Sequence, residues 1–339
     1  MGVNISDIVP KEHRSLADFK EKWIAIDAYN TLYQFLSIIR QPDGTPLKDS
    51  KGRTTSHLAG LLYRTTNLLE AGINPVFVFD GKPHELKSDT IAGRRVIKEK
   101  ARNEWEKALK EGDLEKARSK AQQTSQLTTE MVESSWELLG YLGVPCVQSP
   151  KDGEAQASYM AACGDVWAAA SQDFDSLLFG APTLIRNLTI TGKRKLPRRR
   201  EYVNVEPEEV KLEDALNSLT LTREQLVDLA ILVGTDFNPG IKGIGPKKAL
   251  KLLKQHKDLE NVMEKKALSI ENYQEIRNIF LKPEVTDDYE ISLGEIQEQV
   301  IEALLVDEHD FSVQRVKSAL DKVKSERKQK EQRKLDQWF

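Results

Sequence analysis

Short apolar runs alternate with longer stretches of helical spacing along the first half of the chain. "WIAIDA" (23–28) reads as a short buried strand ending in Asp27, and "NTLYQFLSIIR" follows with helical periodicity. "TTSHLAGLLYRTTNLLEAG" opens on hydroxyl residues suited to an N-cap and ends at Gly72, a fitting residue just past a helix. "NPVFVFDGKP" is another strand, running to Asp80 and a turn. "GVPCVQSPKDGEAQASYMAACG" gives a strand, a proline-containing loop, and a helix with Asp152 and Glu154 at its start. "DVWAAASQDFD" reads as the next strand, with Asp173 and Asp175 at its end. Strands alternating with helices predict βαβ units, a mostly parallel sheet and the α/β class. In such sheets the site lies beyond the carboxyl ends of the strands. Asp27, Asp80, Asp173 and Asp175 all fall there, and Asp152 and Glu154 follow a strand directly.

Other stretches break this pattern. From Lys87 to about Lys120 the chain is charged and helical in composition, with few large apolar residues. Such a run is either a solvated helical face or a helical arch projecting beside the site, since it begins just after Asp80. "GKRKLPRRR" (192–200) is a basic loop, either a phosphate contact or a mobile surface segment. "TREQLVDLAILVGTD" is an amphipathic helix opened by a Thr222–Gln225 capping box, and it delivers Asp236. "GIKGIGPKKALKLLKQH" is a glycine-rich hairpin opening a helix, without the spacing of a nucleotide P-loop. Gly240, Gly243 and Gly245 allow close backbone approach, and Lys242, Lys247 and Lys248 stand near a helix N-terminus, where free N–H groups attract phosphate oxygens. This is a helix-hairpin-helix signature, which grips a duplex backbone without reading bases. The charged run "SERKQKEQRKLDQWF" finishes on two large aromatics, which either dock on the protein's own body or form a short motif for another protein. Gln332, Leu335, Trp338 and Phe339 have anchor spacing for one helical turn entering a pocket.

The bulk numbers narrow this little. With 339 residues, 39% hydrophobic and 30% charged, the chain suits a soluble globular protein of one large or two ordinary domains. A net charge of -3 does not announce a nucleic-acid binder. Cys146 and Cys163 sit in apolar contexts without ligand spacing, as expected of core thiols in a reducing compartment. No apolar run approaches the roughly 18 residues of a membrane span, and no signal peptide is expected. "MGVNIS" fits the loose myristoylation pattern.

The acids carry the chemistry. On one face of a strand, two carboxylates at ~5 Å and an effective dielectric of ~20 repel by roughly 3 kcal/mol. Something must offset that for Asp173 and Asp175. Asp27, Asp80, Asp152, Glu154, Asp173, Asp175 and Asp236 converge on one crevice with no matching strand-end Lys or Arg. All-oxygen ligands point to Mg²⁺ or Mn²⁺. Two such ions ~3.5–4 Å apart would neutralise the cluster and activate water against a phosphodiester. The bland alternative is a salt-bridged acidic cluster.

"DAYNTLYQFL", "PVFVFDGKP", "GEAQASYMAA", "SQDFDSLLFG", "GTDFNPGIKGIGPKKA" and "QRKLDQWF", in this order over essentially the whole chain, closely resemble the flap endonuclease family of structure-specific 5′ nucleases (XPG/Rad2-like, archaeal type). The resemblance implies a PIN-like α/β domain with a helical arch and a helix-hairpin-helix element. It implies Mg²⁺-dependent removal of 5′ flaps in lagging-strand replication and long-patch repair, with associated 5′-3′ exonuclease activity. The family's seven metal-site acids fall on the seven positions above, with Asp152 where the family commonly has Glu. By the same resemblance Lys87 and Arg94 contact the scissile phosphate from the arch base. Tyr33 is an aromatic on which a base near the cut stacks, although a core tyrosine fits the sequence as well. Thr55 lies near the pocket for a 3′ flap, and the terminal motif binds the sliding clamp (PCNA). The expected units are 1–86 and 131–236 for the nuclease domain, 87–130 for the arch, 237–325 for the duplex-binding and C-terminal helices, and 326–339 for a flexible clamp-binding tail. A monomer acting on branched duplex DNA in the cytoplasm, associated with the nucleoid and not a membrane, is expected. A related exonuclease or junction or bubble nuclease, a non-catalytic clamp-bound adaptor, and a PIN-type ribonuclease are the alternatives. The short spacer between Asp80 and Asp152 argues against bubble cutting, the full set of acids against an adaptor, and the hairpin and arch against RNA.

Overall fold

The computed structural model describes residues 2–195 and 202–336. The strands are β1 (Glu12–His13), β2 (Trp23–Asp27), β3 (Asn74–Phe79), β4 (Cys146–Gln148), β5 (Ala168–Ala170), β6 (Thr183–Arg186), β7 (Gly192–Lys195), β8 (Tyr202–Val205) and β9 (Glu208–Lys211). One sheet has the order β1-β9-β6-β5-β2-β3-β4, and β7 pairs with β8 apart from it. The β6-β5-β2-β3-β4 block is parallel, while β9 and β1 close one edge antiparallel. The continuous apolar character of β2, β3 and β5 follows from helices covering both faces.

The helices in chain order are α1 (Ala28–Ile38), α2 (Ser56–Glu70), α3 (Ser88–Lys110), α4 (Leu114–Ala121), α5 (Thr129–Tyr141), α6 (Gly153–Cys163) and α7 (Asp175–Leu178). They continue as α8 (Leu212–Leu219), α9 (Arg223–Val233), α10 (Pro246–His256), α11 (Leu259–Lys266), α12 (Tyr273–Leu281), α13 (Glu298–Glu302) and α14 (Val313–Asp336). On one face of the sheet, α1, α2, α5 and α14 bury Leu32, Phe35, Leu61, Phe77, Phe79, Leu138 and Leu320. On the other, α6 packs small residues such as Ala157 and Ala161 against Val76, Val78 and Val147. A further core gathers α7 to α12 around Leu226, Leu229, Leu253, Ile276 and Phe280, with Val3 and Ile5 threaded into it.

Helices α3 and α4 form the arch as a helical hairpin, closed through the buried Ala101, Ala108, Ala117 and Ala121. That alanine seam explains the lack of large apolar residues in the sequence. Residues 237–325, grouped together from the sequence, separate in the fold. Helices α10 to α12 pack with α9, while α13 and α14 return to α5 and α2. The connecting segment crosses α6, where the buried Gln156 amide bonds both the backbone N–H and C=O of Thr286 at 2.8 Å.

Several local expectations change. β5 ends at Ala170, so Asp173 and Asp175 are not strand neighbours; Asp173 lies in the following turn and Asp175 opens α7. Thr55 takes the N-cap position of α2 without a side-chain cap bond. The Ser56 hydroxyl instead donates to Ile39 C=O at 2.7 Å and accepts from Leu47 N–H. Gly72 does follow α2, with φ of +77°. The first part of the basic 192–200 segment is strand β7, and residues 196–201 lie outside the described residues. The α14 backbone stays helical to Asp336, so the expected boundary at 326 falls inside one helix.

Candidate active site

The acids stand about the carboxyl edge of the parallel block, held by backbone N–H groups or by neighbouring side chains. Asp27 ends β2 and caps α1, accepting from Asn30 N–H at 2.9 Å. Asp80 follows β3 and accepts from Gly153 N–H at 2.6 Å. A Cβ at Gly153 would lie 2.8 Å from the Asp80 oxygen, so glycine permits this approach. Asp152 caps α6 with Oδ1, accepting from Glu154 and Ala155 N–H at 3.0 and 3.3 Å, and its Oδ2 pairs with Lys87. Glu154 is buried, and its Oε1 accepts from both Ser176 N–H (3.0 Å) and Ser176 Oγ (2.6 Å). Asp173 accepts from Asn30 Nδ2 at 3.1 Å, and Asp175 from Val3 N–H at 2.7 Å. Asp236, just past α9, pairs with Arg94 at 2.6 Å.

Their electrostatics tie these acids together. Burial, then Asp80, Asp152 and Asp173, push Asp27 well above the usual carboxylate range. Burial and Asp152 push Asp80 up to about 7, against the pull of Lys87. Burial and Asp173 push Asp175 up to about 7. Burial, Asp175, Asp173 and Asp27 act on Glu154 in the same sense. Asp236 alone moves down, because nearby positive charge, Arg94 included, outweighs its burial. Lys87 is half-buried, yet Asp152, Asp80 and Asp236 hold its ammonium firmly protonated. The sequence-predicted acids thus come together, with Lys87 and Arg94 reaching them from the arch base.

The donor set is carboxylate oxygen throughout, and burial, together with the neighbouring acids, makes four of its members resist ionisation. That chemistry fits hard divalent cations such as Mg²⁺ or Mn²⁺. Among the described residues, no three or more Asp, Glu, His or Cys side chains stand in an arrangement that would hold a metal ion without moving.

The remaining predicted residues are more dispersed. Tyr33 is 38% exposed on α1, with the Lys98 ammonium 4.9 Å over its ring. Thr55 is buried at the start of α2 and presents no open side chain. Gly240 and Gly243 have φ of +71° and +81°, and a Cβ at Gly240 would lie 2.2 Å from Val233 C=O. Gly245 is the N-cap of α10 and Pro246 its first residue. Lys242, Lys247 and Lys248 are exposed, and Lys248 also donates to Gly243 C=O at 3.2 Å. Gln332 and Leu335 lie on the α14 backbone, while Trp338 and Phe339 lie outside the described residues.

Sequence reasoning missed Asn30, Ser176 and the N-terminal segment. Asn30 bridges Asp27 and Asp173, and Ser176 fixes Glu154. At Gly2 a Cβ would stand 2.5 Å from Asp175 Oδ1, so that position packs onto the site. The available signals were Asn30 three residues after Asp27, Ser176 directly after Asp175, and a glycine at position 2.

Known proteins match this chain over its whole length. The XPG N-terminal domain model matches residues 4–101, and the XPG I-region model matches residues 143–236. Flap endonuclease 1 of Pyrococcus abyssi is 52% identical over 340 residues, covering 100% of this chain and 98% of that protein. Flap endonuclease 1 of Methanococcoides burtonii is 51% identical, covering 100% of both. The solved flap endonuclease-1 from Methanococcus jannaschii superposes with a TM-score of 0.77 at 44% identity, over 97% of this chain and 100% of that one. The catalytic core of Rad2 in complex with DNA substrate shares the fold, with a TM-score of 0.71 at 22% identity, over 95% of this chain and 100% of that one. With identity near one half over the full length and both XPG family models matched, the chain belongs to the flap endonuclease 1 family of XPG nucleases.

Proposed function

We propose that this chain is a structure-specific 5′ flap endonuclease that hydrolyses a DNA phosphodiester at the base of a 5′ flap, in Okazaki-fragment maturation and long-patch base excision repair. The observation that carries the reading is the meeting of seven carboxylates with two arch cations at the carboxyl edge of the sheet. Asp27, Asp80, Asp152, Glu154, Asp173, Asp175 and Asp236 would hold two Mg²⁺, for which Mn²⁺ can substitute. When bound, that pair supplies charge neutralisation and an activated water. Lys87 and Arg94 exchange their carboxylate partners for the scissile phosphate and stabilise the charge that develops on its oxygens. Tyr33 stacks a base beside the cut. The hairpin at Gly240–Lys248 and the α10 N-terminus hold the duplex backbone. The terminal motif at Gln332, Leu335, Trp338 and Phe339 recruits a sliding clamp.

The test is direct. Labelled double-flap, nicked, bubble and single-stranded substrates are incubated with and without Mg²⁺, and the cut is mapped. Mg²⁺-dependent incision at the flap base, favoured over the other substrates, is expected. Preferred cutting within the bubble, or cutting indifferent to branch structure, overturns the assignment.

A further inference from the structure

One residue touches two acids that come from neighbouring strands. Asn30 lies in the first turn of α1, and its backbone N–H donates to Asp27 Oδ1 at 2.9 Å. Its side chain turns to another acid, where Nδ2 donates to Asp173 Oδ2 at 3.1 Å. β2, which ends in Asp27, pairs with β5, which leads into the turn of Asp173. Among the described residues, the second Asp173 oxygen has no hydrogen-bond partner. An amide that holds one oxygen of a carboxylate fixes the direction in which the other points.

The amide has a definite sense. A carboxylate accepts, so the NH₂ end of Asn30 faces Asp173 and its C=O end faces away. That oxygen accepts from Gln34 Nε2 at 3.2 Å, one turn further along α1. The Gln34 carbonyl oxygen in turn stands 3.5 Å from the Thr189 hydroxyl, just before β7. Every donor in this row points toward the acid. Asn30, Gln34 and Thr189 line a narrow cavity of about 10 Å³ together with Ile26, Ala170 and Leu188. That leaves room for about one water at most, so solvent is a poor substitute for a lost amide contact.

We infer that Asn30 is a positioning residue for Asp173, that Gln34 locks its donor end toward the carboxylate, and that this pair sets how tightly the acid cluster holds divalent cations. This rests on the metal-dependent reading of the site and concerns the protein before DNA binds. Neither side chain needs to touch an ion or the substrate. The capping bond of α1 comes from the Asn30 backbone and survives any change of its side chain, so a purely helix-capping role would leave side-chain variants unaffected.

The probe is Mn²⁺ alone, titrated into the full-length, metal-free chain and read as free ion by electron paramagnetic resonance. Asn30→Leu keeps the side chain close to its size and removes the donor. It should weaken Mn²⁺ binding by about 10-fold, the lower end of the scale for losing a partner that orients a metal ligand. Melting in EDTA and binding of a flapped duplex in EDTA should stay those of the parent. In an Asp173→Ala background the same change should cost nothing more. Gln34 gives the sharper test. Gln34→Glu sets an acceptor opposite the Asn30 oxygen, which turns the amide round and brings its C=O against Asp173. Added negative charge near the site would by itself tighten cation binding. The relay requires the reverse, a loss comparable with that of Asn30→Leu, with Gln34→Leu costing less. Tighter or unchanged Mn²⁺ binding in Gln34→Glu, parent-like binding in Asn30→Leu, or losses that simply add in the double variant overturn the assignment. If Asn30→Leu melts early, the contrast between Gln34→Glu and Gln34→Leu decides. A parent that binds no Mn²⁺ overturns it as well. A parent that binds Mn²⁺ but leaves flaps uncut with Mg²⁺ would overturn the flap assignment and leave the positioning role in place.

Discussion

Asp80 answers to two opposed demands. Its burial beside Asp152 raises its pKa to about 7, whereas an aspartate in the unfolded chain ionises near 3.9. Between about pH 4 and pH 7 the folded, metal-free protein therefore keeps a proton that the unfolded chain has released. Stability from this group falls as pH rises across that window and is fully lost above it. Asp175, also raised to about 7, acts in the same direction. Asp80→Asn removes the charge while keeping an oxygen that can accept from Gly153 N–H. In EDTA it should raise the melting temperature at pH 8, by an amount on the order of 5 °C, and raise it little at pH 4.5. The same variant should abolish Mg²⁺-dependent cleavage while DNA binding survives. Thermal melts at the two pH values check the first part; an equal shift at both would mean that charge is not the cause. Asp173→Ala should likewise lose cleavage and keep binding, and near-normal turnover under saturating Mg²⁺ would remove it from the metal site.

At the scale of elements, the arch connects position to chemistry. Lys87 precedes α3 and Arg94 lies seven residues on, two turns along the same helical face. Their partners, Asp152 and Asp236, come from α6 and from the turn after α9, so the arch base bridges the sheet and the second core. Lys87→Ala and Arg94→Ala should slow single-turnover cleavage by roughly 10²-fold with smaller changes in substrate affinity, the scale for removing one transition-state donor. An effect confined to affinity would mark them as ordinary phosphate contacts. The hairpin acts differently. Replacing Lys242, Lys247 and Lys248 with Ala should weaken all duplexes alike and reduce the log–log salt slope by about 0.9 for each phosphate no longer neutralised. An unchanged slope would place the duplex elsewhere. Most of these elements were legible in the sequence, because Asp27, Asp80 and Asp152 sit where an apolar run or a cap ends. Asp173 and Asp175 were not placed correctly, since period-two spacing after an apolar run also fits a turn entering a helix. Ser176 and Gly2 were invisible for another reason: each meets its partner only through the fold, across 22 and 173 positions of sequence.

Over the whole molecule, α14 is where the C-terminal part of the chain rejoins the nuclease core. Val316, Ala319, Leu320 and Val323 are buried with α2 and the inner face of the sheet. Among the residues whose side chains are described, these anchors all precede residue 326. The residues from 327 to 337 are charged or polar apart from Leu335 and lead to Trp338 and Phe339, a composition that makes no core of its own. On a clamp, Leu335, Trp338 and Phe339 would fill one apolar pocket and Gln332 a polar one. Burying each large side chain is worth about 1.5–3 kcal/mol. Part of this is lost in ordering the peptide, so micromolar affinity, on the order of -8 kcal/mol, is expected. Deleting residues 332–339 removes these groups and none of the buried α14 anchors. The truncated protein should melt with the parent and cut a free oligonucleotide flap at the parent's rate. It should lose both clamp binding, read by calorimetry, and stimulation of cleavage by the clamp. If it instead melts early and loses basal activity, the terminal aromatics serve the protein's own body and the clamp assignment fails.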